Sequence, residues 1–334
     1  MCIIHIIHII QIIHTIHTKG LRLMNDLTLT GTQKTSITTG LQSVWFNDFF
    51  NYLDVTEKSI ATYKRAIKQF CKYMALEGIT NPTREDIIAY RDYLKADHKA
   101  TTVQAYIIAV RLFFQWTELR GIYPNVANKV KGAKISKEHK KDSLTTKQAK
   151  RVLETIDRST LQGLRDYAIF SLMITGGLRT IEVSRANIED LRTLGDNTVL
   201  YIQGKGRQEK TDYVKLAEPV EDAIRNYLKA CPVSDVKSAL FKSTSHNSMG
   251  GRLSTRSISG IVKECMKGAG YDSNRLTAHS LRHTAGTLNL KNGGTLEETQ
   301  QLLRHTNINT TMIYLHHLER EQNQSESRIA KALF

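Results

Sequence analysis

The chain has 334 residues, 40% of them hydrophobic and 24% charged, with only 4 Pro. This is the composition of a globular protein, with room for two domains, rather than of a disordered one. Lys and Arg number 47 against 32 Asp and Glu, a formal net charge of +15, which favours a polyanionic partner. No apolar stretch is long enough to cross a bilayer, so nucleic acid is expected as the partner and a membrane is not. The plainer alternative is a basic enzyme with no polyanionic partner.

Cys2, Cys71, Cys231 and Cys265 are scattered and form no C-x-x-C pair. They read as reduced thiols in a cytoplasmic protein, neither a disulfide frame nor a zinc site.

Residues 1–23 form an Ile/His tract that lacks the basic start and small-residue cleavage site of a signal peptide. Met24 is expected to be the true start, with the preceding tract a translated upstream region. His5, His8, His14 and His17 there are at most adventitious metal ligands. The polar, Thr-rich residues 25–43 read as a flexible arm.

Residues 44–125 are helical in pattern. Ile60, Tyr63, Ile67, Phe70 and Met74 make one apolar stripe, stopped by Gly78. Pro82 and Thr83 open a second helix, with Asp86 as the capping-box partner of Thr83. Val103, Tyr106, Ile107, Val110, Phe113, Phe114 and Trp116 fill a third, and Gly121 and Pro124 close the block. The expectation is a bundle of about four helices.

Residues 126–142 read as a basic linker. Within 129–141 there are six lysines (Lys129, Lys131, Lys134, Lys137, Lys140 and Lys141) against one glutamate. Such a segment either runs along a phosphate backbone, releasing counterions, or is a soluble tether; phosphate contact is the favoured reading.

A second domain spans residues 143–318. Thr145 with Gln148 opens its first helix, and Arg165–Thr175 forms the next. Thr198–Gln203 and Asp212–Leu216 read as short strands around a Gly/Lys turn. Helices follow at Pro219–Ala230, Ser254–Lys267, Arg282–Lys291, Thr295–Arg304 and Thr310–Leu318. The fold class is mainly α with a small β-hairpin or three-stranded sheet. Residues 319–334 form a polar tail with an apolar end, either frayed or packed on a neighbouring protomer.

Five cations precede a tyrosine in this domain: Arg179 in T-G-G-L-R-T-I-E-V, Lys205 in Q-G-K-G-R, His279 and Arg282 in H-S-L-R-H-T, and His305 in L-L-R-H-T; Tyr314 follows in T-T-M-I-Y. A phenol, with a pKa of about 10, is a poor nucleophile at neutral pH. Cations around it can hold a phosphate and the charge that develops on it. Singly each residue has an ordinary explanation: Arg179 pairs with Glu182 along a helix, His305 caps a helix end, Tyr314 sits in a core.

Together, the order R…K…H-x-x-R…H…Y and its contexts resemble the tyrosine recombinase (phage integrase) family over about residues 44–318, in a two-domain, Xer-like layout. The tyrosine stands nine residues after His305. The resemblance implies a SAM-like core-binding bundle and a mixed α+β catalytic domain, closing as a clamp on double-stranded DNA. It implies that Arg179 and Arg282 grip the scissile phosphate, Lys205 protonates the leaving 5′ oxygen, His279 assists proton transfer and His305 hydrogen-bonds the phosphate. Tyr314 becomes the 3′-phosphotyrosyl link, and Glu182 supports the site. Lys210 is the alternative acid. No cofactor is expected; a tetramer on paired sites, with an accessory excisionase or a host DNA-bending protein, is. Competing readings are a type IB-like topoisomerase and a non-catalytic DNA-binding regulator. Arg304 departs from the family, standing where a glycine often precedes the histidine.

Overall fold

The computed structural model describes residues 46–135, 142–204, 206–231 and 235–334. The Ile/His tract, the polar arm, Lys137, Lys140, Lys141 and Lys205 lie outside the described residues. The chain divides into two compact units at Lys137.

The first unit holds α1 (Glu57–Leu76), α2 (Arg84–Asp97) and α3 (Ala100–Leu119), preceded by helical residues at 46–52. The apolar stripe of α1 buries Ala66, Ile67, Phe70, Tyr73 and Met74. Phe70 meets Tyr90 of α2 and Phe114 of α3 with ring centroids 5.0 and 5.9 Å apart. Full burial of such side chains stabilises by about 1.5–3 kcal/mol each. The Thr83–Asp86 capping box closes the start of α2. The segment after α3 is anchored on this unit: Ala127 and Val130 join its core, and Arg84 and Arg91 donate to the carbonyls of Asn128 and Lys131. Lys129, Lys131 and Lys134 remain exposed on that anchored stretch.

The second unit runs α4 (Thr146–Thr155), α5 (Leu161–Gly176), α6 (Thr180–Arg185), β1 (Leu191–Leu194), β2 (Asn197–Ile202) and β3 (Asp212–Lys215). Then follow α7 (Glu218–Ala230), α8 (Thr255–Gly268), α9 (Ala278–Lys291), α10 (Leu296–Leu303), α11 (Asn309–Gln322) and α12 (Ser325–Leu333). The strands form an antiparallel sheet in the order β1-β2-β3. Its core is centred on α5, whose Ala168, Ile169, Phe170, Leu172 and Met173 are fully buried.

Several boundaries differ from the sequence expectation, each for a local reason. Helix α5 starts four residues early because Thr160 Oγ1 accepts from the Gly163 amide (3.0 Å). Helix α9 starts at Ala278, where Ser280 Oγ accepts from the Thr277 amide (3.0 Å), so His279 and Arg282 share its first turns. Strand β1 carries no alternation in its sequence, and three of its four residues are exposed. The tail folds as α12 without burying a residue, leaving Ile329, Leu333 and Phe334 exposed.

Candidate active site

A cleft of about 400 Å³ in the second unit is lined by Arg179, His279, Arg282, Arg304, His305 and Tyr314, with Arg207 and His283. The ends of α5 and α10, the starts of α6 and α9, and the middle of α11 converge on it. Four of the five sequence-assigned cations are therefore gathered with the tyrosine. The fifth, Lys205, lies outside the described residues; its neighbour Gly204 lines the cleft.

The T-G-G-L-R stretch has a packing reason. Helix α5 ends at Gly177 in the left-handed conformation (φ 58°, ψ 33°). A Cβ there would stand 2.6 Å from Leu303 Cδ2, and one on Gly176 would stand 2.7 Å from Val214 Cγ1. The close approach turns the Gly177 carbonyl to Arg282, whose Nη1 donates to it at 2.6 Å while Nη2 donates to the Leu303 carbonyl. Arg282 is 1% exposed. Burial, then the charges of Arg179 and Arg304, hold its guanidinium down to about 9.

Arg179 is the N-cap residue of α6 and pairs with Glu182 by two bonds. Its amide donates to Oε2 and its Nη1 to Oε1, both at 2.8 Å. Glu182 is fully buried. Burial alone would raise its carboxyl; the Arg304 charge and the bonds from Arg179 outweigh that and hold it below its ordinary value. Arg304 Nη2 reaches Glu182 Oε2 at 3.1 Å, and its guanidinium also donates to the carbonyls of Gly176, Gly177 and Leu302.

Arg304 adopts φ 51°, ψ 49° at the end of α10. That is the left-handed conformation in which glycine is least strained. The next residue, His305, places Nδ1 2.9 Å from Thr311 Oγ1 in the first turn of α11. Burial first, then Arg282, Arg179, Arg304 and His279, hold its ring down to about 4, so it is neutral at physiological pH.

Tyr314 is 5% exposed. Its ring packs 5.2 Å from that of His283 and lies parallel to that of His305 at 6.3 Å. Burial pushes its phenol above the ordinary value, and Arg282 and Arg179 pull it back only in part. The cations alone do not make a resting phenolate here. Lys210, the alternative acid, is held by Asp190 Oδ2 at 2.5 Å.

Sequence reasoning missed His283, Arg207 and Thr311 as parts of the site. His283 was findable, four residues after His279 on the same helical face. Arg207, bound to Asp212 Oδ2 at 2.6 Å, carried no signal beyond a common hairpin charge. No group of three or more His, Cys, Asp or Glu suited to a metal ion occurs among the described residues.

The description "Phage integrase family" matches residues 142–321, and "Phage integrase, N-terminal SAM-like domain" matches residues 46–121. The chain belongs to the phage integrase family. It is 32% identical to the tyrosine recombinase XerC of Caldanaerobacter subterraneus subsp. tengcongensis over 238 residues, 69% of this chain and 64% of that one. With the tyrosine recombinase XerD of Listeria monocytogenes serotype 4b it shares 28% identity over 294 residues, 80% of this chain and 92% of that one. Two solved structures share the fold. One is the XerH site-specific recombinase bound to palindromic difH substrate, with TM-score 0.65, 21% identity and 78% of each chain covered. The other is a lambda integrase dimer bound to a COC′ core site, with TM-score 0.63, 17% identity, and 91% of this chain and 85% of that one covered.

Proposed function

We propose that this family member is a site-specific tyrosine recombinase that cleaves and rejoins duplex DNA through a 3′-phosphotyrosyl intermediate. The observation that carries the reading is the cleft that brings Tyr314 together with Arg179, Arg282, His279 and His305.

Arg179 and Arg282 bind the non-bridging oxygens of the scissile phosphate, using the donors that Glu182 and the helix-end carbonyls leave open. Tyr314 Oη attacks phosphorus as the bond to the 5′ oxygen breaks. His279 takes the phenol proton, directly or through water, and Lys205 protonates the leaving oxygen. Lys205 is favoured as the acid because Lys210 is already bound to buried Asp190. His305, tied to α11 through Thr311, donates to the phosphate from its other ring nitrogen. The guanidinium charges stabilise the crowded phosphorane-like state. The phosphodiester energy is kept in the covalent link, so a 5′ hydroxyl of a partner strand reverses the step without ATP.

Residues 44–125 act as the core-binding domain and 143–318 as the catalytic domain. Lys129, Lys131, Lys134, Lys137, Lys140 and Lys141 contact phosphates. The working unit is a tetramer on paired sites in the cytoplasm, with an accessory excisionase or host DNA-bending protein setting direction.

The test recovers protein–DNA adducts from cells expressing the chain, sequences the attached end, and builds a nicked suicide substrate on that site. The wild type becomes covalently linked at a 3′ phosphate. Tyr314→Phe binds the same DNA and forms no adduct; an adduct in that variant refutes the nucleophile.

A further inference from the structure

Arg304 is one of two non-glycine residues with positive φ among the described residues, the other being Lys129. A non-glycine residue in that conformation costs about 1 kcal/mol or more, so its side chain must do something a glycine cannot. Two of its nitrogens reach helix-end carbonyls. Its Nε is buried and has no hydrogen-bond partner among the described residues, so capping alone is an incomplete fit. The remaining contact is charged: Nη2 to Glu182 Oε2 at 3.1 Å.

Glu182 divides its two oxygens. Oε1 takes Arg179 Nη1 at 2.8 Å; Oε2 takes the Arg179 amide at 2.8 Å and Arg304 Nη2 at 3.1 Å. Without Arg304, a fully buried carboxylate would keep one guanidinium partner and a single neutral donor on Oε2. A buried carboxylate in that position draws its arginine into a two-pronged pair. Arg179 would then swing its second prong inward, away from the cleft where its side chain is now 29% exposed. The trio would also fall from a net charge of +1 to zero.

We propose that Arg304 is a positioning residue: it occupies the second oxygen of Glu182 so that Arg179 keeps its outer donors for the phosphate. This rests on the recombinase reading and adds a part that a glycine at this position would lack. It acts through Arg179 and does not touch the phosphate.

The test is a double-mutant cycle in the full chain, read by single-turnover cleavage of the suicide substrate. Arg304→Gly suits the backbone conformation and should bind DNA within about twofold of wild type while cleaving roughly 10–100-fold more slowly, the size of loss expected from a misplaced catalytic group. Arg304→Lys, which restores a charge near Oε2, should recover part of the rate. In a Glu182→Gln background, where no carboxylate competes for Arg179, Arg304→Gly should cost less than about twofold. Equal losses in both backgrounds would mean a purely structural role and overturn the proposal, as would wild-type cleavage by Arg304→Gly. If Arg304→Gly does not fold, Arg304→Gln, which keeps donors for the carbonyls and loses the charge, runs the same cycle. Tyr314→Phe separates the two levels: an adduct there removes the recombinase reading, whereas its absence leaves that reading standing whatever Arg304 does.

Discussion

The ring of His305 lies parallel to that of Tyr314, with planes 7° apart and centroids 6.3 Å apart. The histidine is tied to the tyrosine's own helix through Thr311, which couples the proposed nucleophile to the proposed phosphate ligand. Thr311 is fully buried and stands three residues before Tyr314, on the same face of α11. A change in α11 that carries the phenol toward phosphorus should therefore carry His305 with it.

His305 makes stability depend on pH in a signed way. Its folded-state pKa of about 4 lies below the ordinary histidine value of 6.5. Between those values the unfolded chain holds a proton that the folded chain does not, so stability rises with pH and is lost as pH falls through the window. The melting temperature should decline from pH 6.5 to pH 4. Asparagine at this position keeps a polar partner for Thr311 without a titrating ring, and His305→Asn should flatten that part of the profile. An unchanged slope in the variant would assign the pH dependence to other groups.

The two hairpin lysines should fail differently. Lys205→Ala should lose cleavage of an ordinary strand, and a substrate with sulfur in place of the bridging 5′ oxygen should restore it, because a thiolate leaves without a proton. Lys210→Ala should instead destabilise the fold by about 1–3 kcal/mol, since Asp190, 2% exposed in its side chain, loses its charged partner and keeps only the Asn187 amide. Denaturant unfolding and cleavage of both substrates separate these outcomes. Rescue of Lys210→Ala by sulfur would reverse the assignment.

Arg179 supplies charge and fork geometry together. Arg179→Ala should cleave ~10²–10³-fold more slowly, the loss typical of removing one donor aimed at a developing anion. Arg179→Lys should recover little, because a point charge cannot hold both Glu182 Oε1 and a phosphate oxygen. DNA affinity should change far less than rate in both variants. A lysine variant near wild type would show that charge alone suffices.

Much of this site was legible because the chemistry needs particular residue types. The proposed chemistry calls for a hydroxyl nucleophile and for cations that hold a phosphate, so Arg179, Arg282, His305 and Tyr314 stand out by order and context. The helices of the first unit were legible for a different reason: Ile67, Phe70 and Met74 bury at helical spacing, and Thr83 with Asp86 writes the start of α2 into the sequence. Strand β1 was not legible, because an exposed edge strand needs no alternation. The tail helix was not legible either, because nothing in the unit buries it. Arg304 stood out in the sequence only as a departure from glycine. That it faces Glu182 across the ends of two helices depends on a tertiary approach that periodicity does not encode.

That approach rests on Gly177, and the turn between β1 and β2 supplies its control. Gly177 and Gly195 have nearly equal positive φ, 58° and 59°. A Cβ on Gly195 meets nothing within 4 Å, whereas one on Gly177 meets Leu303 Cδ2 at 2.6 Å and Ala285 Cβ at 3.5 Å. Gly195→Ala should therefore cost only the conformational penalty, about 1 kcal/mol, with cleavage unchanged. Gly177→Ala adds overpacking of about 1–3 kcal/mol. It also moves the carbonyl that holds Arg282 Nη1 at 2.6 Å, so, on the proposal that Arg282 binds the phosphate, the protein that does fold should cleave at least 10-fold more slowly. Denaturant unfolding gives the first quantity, and single-turnover cleavage by the folded fraction gives the second. Equal stability losses for the two alanines would mean that Leu303 yields at no cost and that the end of α5 does not set the position of Arg282.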